Sequence, residues 1–88
     1  MHAADRLDYD VIASWVPQAA RVLDLGCGDG ELLSHLREVR NAAGYGVEND
    51  PDRVLACVKN GINVLQIDLE EGLYAFRDAS FDVVVMSN

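Results

Sequence analysis

The chain has 88 residues, half of them hydrophobic and a quarter charged, with a formal net charge of −8. A chain this short holds one small domain and buries only roughly 60–65% of its unfolded surface, so its stability margin is thin. The acids are spread along the sequence, and their field repels phosphate backbones, which argues against a nucleic-acid partner. No apolar run approaches the ~18 residues of a membrane span, and the N-terminus lacks the basic-then-apolar order of a signal peptide. Cys27 and Cys57 lie 30 residues apart and outside any C-x-x-C pair, which points to a reduced, cytoplasmic compartment.

In chain order, Leu7, Val11, Ile12 and Trp15 fall on one face at helical spacing, with Pro17 as the stop and Trp15 expected in the core. A first strand is expected over Arg21–Leu25. The helix after it carries a buried stripe of Leu32, Leu33, Leu36 and Val39, with Arg37 and Arg40 at the end where cations suit the helix dipole. A second strand covers 44–48. Asp50 and Pro51 read as N-cap and first-turn residue of the next helix, whose Val54, Leu55 and Val58 face inward and which Gly61 closes. A third strand covers 62–67 and ends at Asp68. Residues 70–80 read as an irregular loop with one helical turn at 73–76, and a fourth strand covers 81–86.

This alternation builds an α/β fold, a parallel sheet with right-handed crossovers, in the order 3-2-1-4 with flanking helices. Residues 83–86 are consecutively apolar, as in a strand covered on both faces, yet in that order the strand is an edge. Residues 1–88 therefore read as a partial domain, the N-terminal half of a Rossmann-like fold. The bare edge of 81–86 is a surface for self-association.

Between the first strand and its helix stands Asp24-Leu25-Gly26-Cys27-Gly28-Asp29-Gly30. A dinucleotide loop, G-x-G-x-x-G, needs a third glycine at 31, which is Glu31. The G-x-G-x-G spacing resembles instead motif I of class I S-adenosylmethionine-dependent methyltransferases. In open α/β sheets ligands bind beyond the carboxyl ends of the strands, and several residues converge there. Gly26, Gly28 and Gly30 permit close backbone approach, and loop amides can hold a carboxylate. Asp24 can accept from loop amides or from an ammonium. Glu48, 22 residues past Gly26, suits a bidentate acceptor for ribose hydroxyls, with Asn49 beside the base. Asp68 can accept from an adenine amino group while the Leu69 amide donates to a ring nitrogen. Met86, Ser87 and Asn88 leave the fourth strand toward the methyl-acceptor region. Cys27, although near a helix N-terminus, reads as a small residue fitting a crowded turn. His35 falls on the solvent side of its helix and His2 near the terminus, so neither reads as a catalyst, and no metal-ligand cluster is present.

The segments 21–33, Gly-Tyr-Gly-Val-Glu at 44–48, Gly-Ile-Asn-Val-Leu-Gln at 61–66 with Asp68, and 80–86 together resemble the MetW family of bacterial methionine biosynthesis proteins, over about residues 7–88. The resemblance implies a methyltransferase-like fold of about twice this length and a role beside homoserine O-acetyltransferase. It carries cofactor positions onto Asp24, Gly26, Gly28, Glu48, Asp68 and Leu69. Three functions follow as expectations. The first is an S-adenosylmethionine-binding accessory protein acting with the acetyltransferase. The second is an active methyltransferase on a small acceptor. An NAD-dependent oxidoreductase is the third, disfavoured by Glu31.

Overall fold

The computed structural model describes residues 3–87, with side chains from Asp8 onward. His2 and Asn88 lie outside the described residues, as does the side chain of Leu7. The elements run α1 (Ala3–Ser14), β1 (Arg21–Leu25), α2 (Glu31–Arg40), β2 (Ala43–Glu48), α3 (Pro51–Lys59), β3 (Asn63–Gln66), α4 (Leu69–Ala75) and β4 (Val83–Val85). The four strands form one parallel sheet in the order β3-β2-β1-β4, as the alternation predicts. Asp24 is in register with Gly46, and Glu48 with Gln66, so the acid-bearing strand ends open on the same side.

Each face of the sheet has its own apolar cluster. Val22 packs with Leu32, Leu33, Leu36, Cys27 and Cys57 under α1, α2 and α3, and this is the larger core. Leu23, Leu25 and Val47 alternate to the opposite face, where Tyr45, Ile67, Phe76 and Phe81 pack on them beside α4. Gly72 is what lets α4 approach: a Cβ there would stand 2.8 Å from Val47 Cγ1.

Helix starts follow their caps. Asp50 accepts from the Asp52 N–H, with Pro51 at the first helical position, as expected. Asp68 accepts from the Glu71 N–H at 2.7 Å, so α4 begins at Leu69 and replaces the expected loop and single turn. The signal was an Asp-x-x-Glu start with two acids in the first turn.

Five expected burials are corrected. Trp15 is 72% exposed, because α1 ends at Ser14 and the turn that follows sends Val16 inward instead. On α1 itself Val11 is exposed while Ala13 is buried, so the inward stripe is displaced from the one expected. On α2 Val39 is exposed, and the stripe ends at Leu36. On α3 Cys57 is fully buried while Leu55 and Val58 are exposed and Val54 is half-buried. Capping at Asp50 sets the phase, and 54 and 57 share a face at i,i+3. The fourth strand shortens to three residues; Phe81 leaves it to pack edge-on against Tyr45 and Phe76, both at 5.7 Å. Val84 and Met86 stay exposed at the sheet edge. The arginines at the end of α2 also reach past their own helix. Arg40 Nε donates to the carbonyls of Ala13 and Val16, and Arg37 to those of Asn60 and Gly61.

Candidate functional site

The turn after β1 is built by glycine. Gly26, Gly28 and Gly30 have φ of 84°, 60° and 85°, a region that costs other residues about 1–2 kcal/mol. The N–H groups of Gly26 and Cys27 both donate to Val47 O, at 2.8 and 3.0 Å, which ties the loop to β2. Gly30 turns its Cα toward Cys57 and Ile62, each 3.1 Å from where a Cβ would stand. It therefore closes the loop onto α3.

Glu48 is the centre of the arrangement. It is buried to 6% exposure at the end of β2. Its Oε1 accepts from the Gly28 N–H at 2.8 Å, and its Oε2 from the Asn49 and Asp50 N–H groups at 3.1 and 3.0 Å. One carboxylate thus joins the glycine loop to the start of α3. A carboxylate offers about four lone-pair directions, so Oε1 retains room for one further donor.

Around Glu48 opens a cavity of about 210 Å³ walled by Leu25, Gly26, Val47, Asn49, Ile67, Leu69 and Met86. Apolar walls with one carboxylate at the rim suit a flat, weakly polar base carrying a hydroxylated sugar. Asp68 stands between two wall residues, yet its Oδ1 caps α4 and its side chain borders the neighbouring surface with Glu70, Glu71 and Tyr74. A second cavity of about 240 Å³ meets the loop at Gly28 and is lined by Tyr9, Cys27, Asp29, Arg53 and Ser87. Tyr9 and Arg53 belong to no motif, and only the tertiary fold brings them to the loop.

Asp24 is fully buried, and both its oxygens go to Ser87, which donates its N–H to Oδ1 at 3.1 Å and its hydroxyl to Oδ2 at 2.5 Å. The carboxylate therefore ties the end of β1 to the residues leaving β4. Burial pushes its pKa above the ordinary 3.8, Ser87's hydrogen bonds oppose the shift, and the Glu48 charge adds to it. The native state thus holds this proton at pH values where the unfolded chain has released it. Its contribution to stability grows as pH falls through the folded pKa toward 3.8 and is lowest above the folded pKa. Wild-type protein should therefore gain urea resistance relative to Asp24→Asn on acidification in that window. A difference between their midpoints that is independent of pH would refute the shift.

Cys27 and Cys57 are both buried and free. Burial pushes both thiols up, so with the loop closed both stay protonated and shielded, in line with the packing role expected for Cys27. His35 is corrected. It faces α1 rather than solvent, with Nε2 3.0 Å from Asp10 Oδ1 and its ring 6.1 Å from that of Tyr9. Among the described residues no group of three or more His, Cys, Asp or Glu is placed to hold a metal ion.

The sequence profile of the family described as "Methionine biosynthesis protein MetW" matches residues 6–88. This chain belongs to the MetW family. A bifunctional methionine biosynthesis protein, MetXA/MetW, from Rhodopirellula baltica is 37% identical over 89 aligned positions, which cover 92% of this chain and 14% of that protein. A protein of Schizosaccharomyces pombe described as an uncharacterized methyltransferase is 35% identical, over 88% of this chain and 35% of its own length. The MetW chain described here therefore spans well under half of these relatives.

Solved structures agree on the fold. A TehB-like SAM-dependent methyltransferase from Corynebacterium glutamicum superposes with a TM-score of 0.78 at 22% identity, covering 92% of this chain and 44% of that one. An RNA methyltransferase from Salinibacter ruber, solved with S-adenosyl-L-homocysteine, gives a TM-score of 0.66 at 28% identity, over 81% and 51% of the two chains. The fold of this MetW chain is thus that of the Rossmann-like methyltransferases.

Proposed function

We propose that this MetW chain binds S-adenosylmethionine and acts in methionine biosynthesis beside homoserine O-acetyltransferase. The observation that carries the reading is the Glu48 carboxylate, pinned by three backbone N–H groups at the rim of an apolar cavity and still able to accept one donor. Leu25, Val47, Ile67, Leu69 and Met86 enclose the base, and the spare Oε1 direction takes a ribose hydroxyl. Asn49 borders the base, and the Leu69 N–H and Asp68 carboxylate address its edge. Gly26 and Gly28 present backbone without a Cβ, and Gly30 holds the loop in that shape. Asp24 acts through Ser87, fixing the segment in which Met86 lines one cavity and Ser87 the other. When bound, the cofactor supplies an electrophilic methyl group on sulfur.

The association with the acetyltransferase is supported by the R. baltica relative, whose name joins MetXA and MetW in one protein. A second reading, methyl transfer to a small acceptor, is supported by the methyltransferase fold. In it the residues would work by alignment alone. Two buried free thiols fit a reducing cytoplasm, and no helix among the described residues is long and apolar enough to cross a membrane. The exposed Val84 and Met86 beside the open edge of β4 offer the pairing surface through which copies would associate.

Calorimetric titration with S-adenosylhomocysteine, against NADH as control, tests the cofactor. Micromolar binding of the former alone is expected, and silence from folded protein would refute it. Co-purification with homoserine O-acetyltransferase, accompanied by raised acetyltransferase activity, separates the accessory reading from the enzymatic one.

A further inference from the structure

Two sulfur atoms lie beneath the glycine loop and have no part in the proposed grip on the nucleoside. Cys27 in the loop and Cys57 in α3 bring their Sγ atoms to 3.8 Å. Both converge on one carbonyl: Cys57 Sγ donates to Gly28 O at 3.2 Å, and Cys27 Sγ lies 3.8 Å from the same oxygen. The Gly28 N–H is the one held by Glu48. Gly28 is thus anchored at its carbonyl by a thiol and at its N–H by the carboxylate at the cavity rim.

We propose that Cys27 and Cys57 are a redox pair whose oxidation to an intramolecular disulfide, by a peroxide or a small disulfide, distorts the glycine loop and weakens the nucleoside site. The proposal rests on the nucleoside reading above. With hydrogen peroxide, one sulfur attacks a peroxide oxygen as thiolate and becomes a sulfenic acid, and the first water leaves. The second sulfur then attacks the first, its proton and the S–OH group depart as the second water, and the S–S bond forms. Two thiol protons and two electrons pass to the peroxide.

The sulfurs must close from 3.8 Å to about 2.05 Å. Cys57 is held in a helix, so the loop yields, at Gly26 and Gly28, where no Cβ resists a change of φ. Closure removes the S–H donor from Gly28 O and drags Gly28 off Glu48. Burial keeps both thiols protonated and shielded, so reaction waits on opening of the loop. A ligand that pins the loop therefore disfavours the disulfide, and by linkage the disulfide lowers the ligand's affinity by the same factor.

The test treats the protein with hydrogen peroxide, alkylates remaining thiols under denaturing conditions and weighs the product. A monomer lighter by two hydrogens, reversed by dithiothreitol, is expected. S-adenosylhomocysteine should bind the oxidised form about tenfold more weakly or worse, a coupling of ordinary size, with recovery on reduction. Amide exchange across residues 26–31 should accelerate on oxidation without ligand. Cys57→Ser keeps a donor for Gly28 O and should hold the reduced affinity while forming no intramolecular disulfide with peroxide, with Cys57→Ala as the alternative for the mass measurement alone if the serine variant folds poorly. Absence of the intramolecular disulfide overturns the proposal, as does a disulfide that leaves both exchange and affinity unchanged. If the reduced protein binds no S-adenosylhomocysteine, the nucleoside reading falls by itself, and the mass and exchange measurements still decide the thiol pair.

Discussion

Replacing Glu48 with alanine is expected to weaken S-adenosylhomocysteine binding by about 1.5–3 kcal/mol, the scale of lost charge-assisted hydrogen bonds. Two effects combine. On the proposed reading the sugar loses its acceptor, and in any case the Gly28, Asn49 and Asp50 N–H groups lose theirs, so the cavity loses its rim. The same variant should be less stable, since a buried donor without a partner costs about 1–3 kcal/mol. Glu48→Gln keeps the shape but turns an NH₂ group toward a backbone N–H, so it should recover only part of the loss. Titration calorimetry and urea unfolding on the same samples read the two effects apart. Wild-type affinity in Glu48→Ala would remove Glu48 from the site.

The second large effect belongs to Gly46→Ala. Gly46 sits mid-strand in β2, and a Cβ there would overlap the Cys27 sulfur. Because Cys27 is enclosed by Cys57 and the sheet, it has nowhere to retreat without moving the loop. Overpacking of this kind costs typically about 1–3 kcal/mol, a large share of the stability of so small a domain. Gly44→Ala is the matched control. Its Cβ would meet Leu33 Cδ2 at 3.0 Å and Leu33 Cβ at 3.2 Å, close contacts that a shift of a few tenths of an ångström relieves, whereas at position 46 the Cβ would overlap the sulfur outright. Urea midpoints should therefore fall markedly for position 46 and mildly for 44. Equal midpoints would show that the Cys27 contact does not constrain the strand.

The glycine turn and the strand-end acids are legible in the sequence because they are local features. Three glycines on alternate positions form a turn whatever surrounds them, and an acid at the end of the next strand opens on the same side because parallel strands run in register. The Asp50 cap is legible for the same reason; the Asp-x-x-Glu start at Asp68 is equally local, but the same acid at a strand end also fits a ligand role. Tyr9, Arg53 and Ser87 reach the loop from elements up to 63 residues apart in sequence, as the Ser87–Asp24 bond shows, and no spacing encodes such a meeting.

By itself, the sequence determined the order of elements apart from α4, the parallel 3-2-1-4 sheet, the loop and the family, since these depend on hydrophobic period, turn residues and chain connectivity. Only the tertiary structure decided the rotation of α1, α2 and α3 about their axes, which exposes Val11, Val39, Leu55 and Val58 and buries Cys57, and the end of α1 at Ser14, which leaves Trp15 outside. Helical spacing places residues on a common face but does not say which of the apolar residues near that face meet the sheet; caps and close packing choose them. The tertiary structure also decided what the buried acids touch. Asp24 ties two strand ends together through Ser87 and Glu48 secures the glycine loop, because an acid taken out of water must find donors, and those nearest in space were backbone N–H groups and a serine hydroxyl.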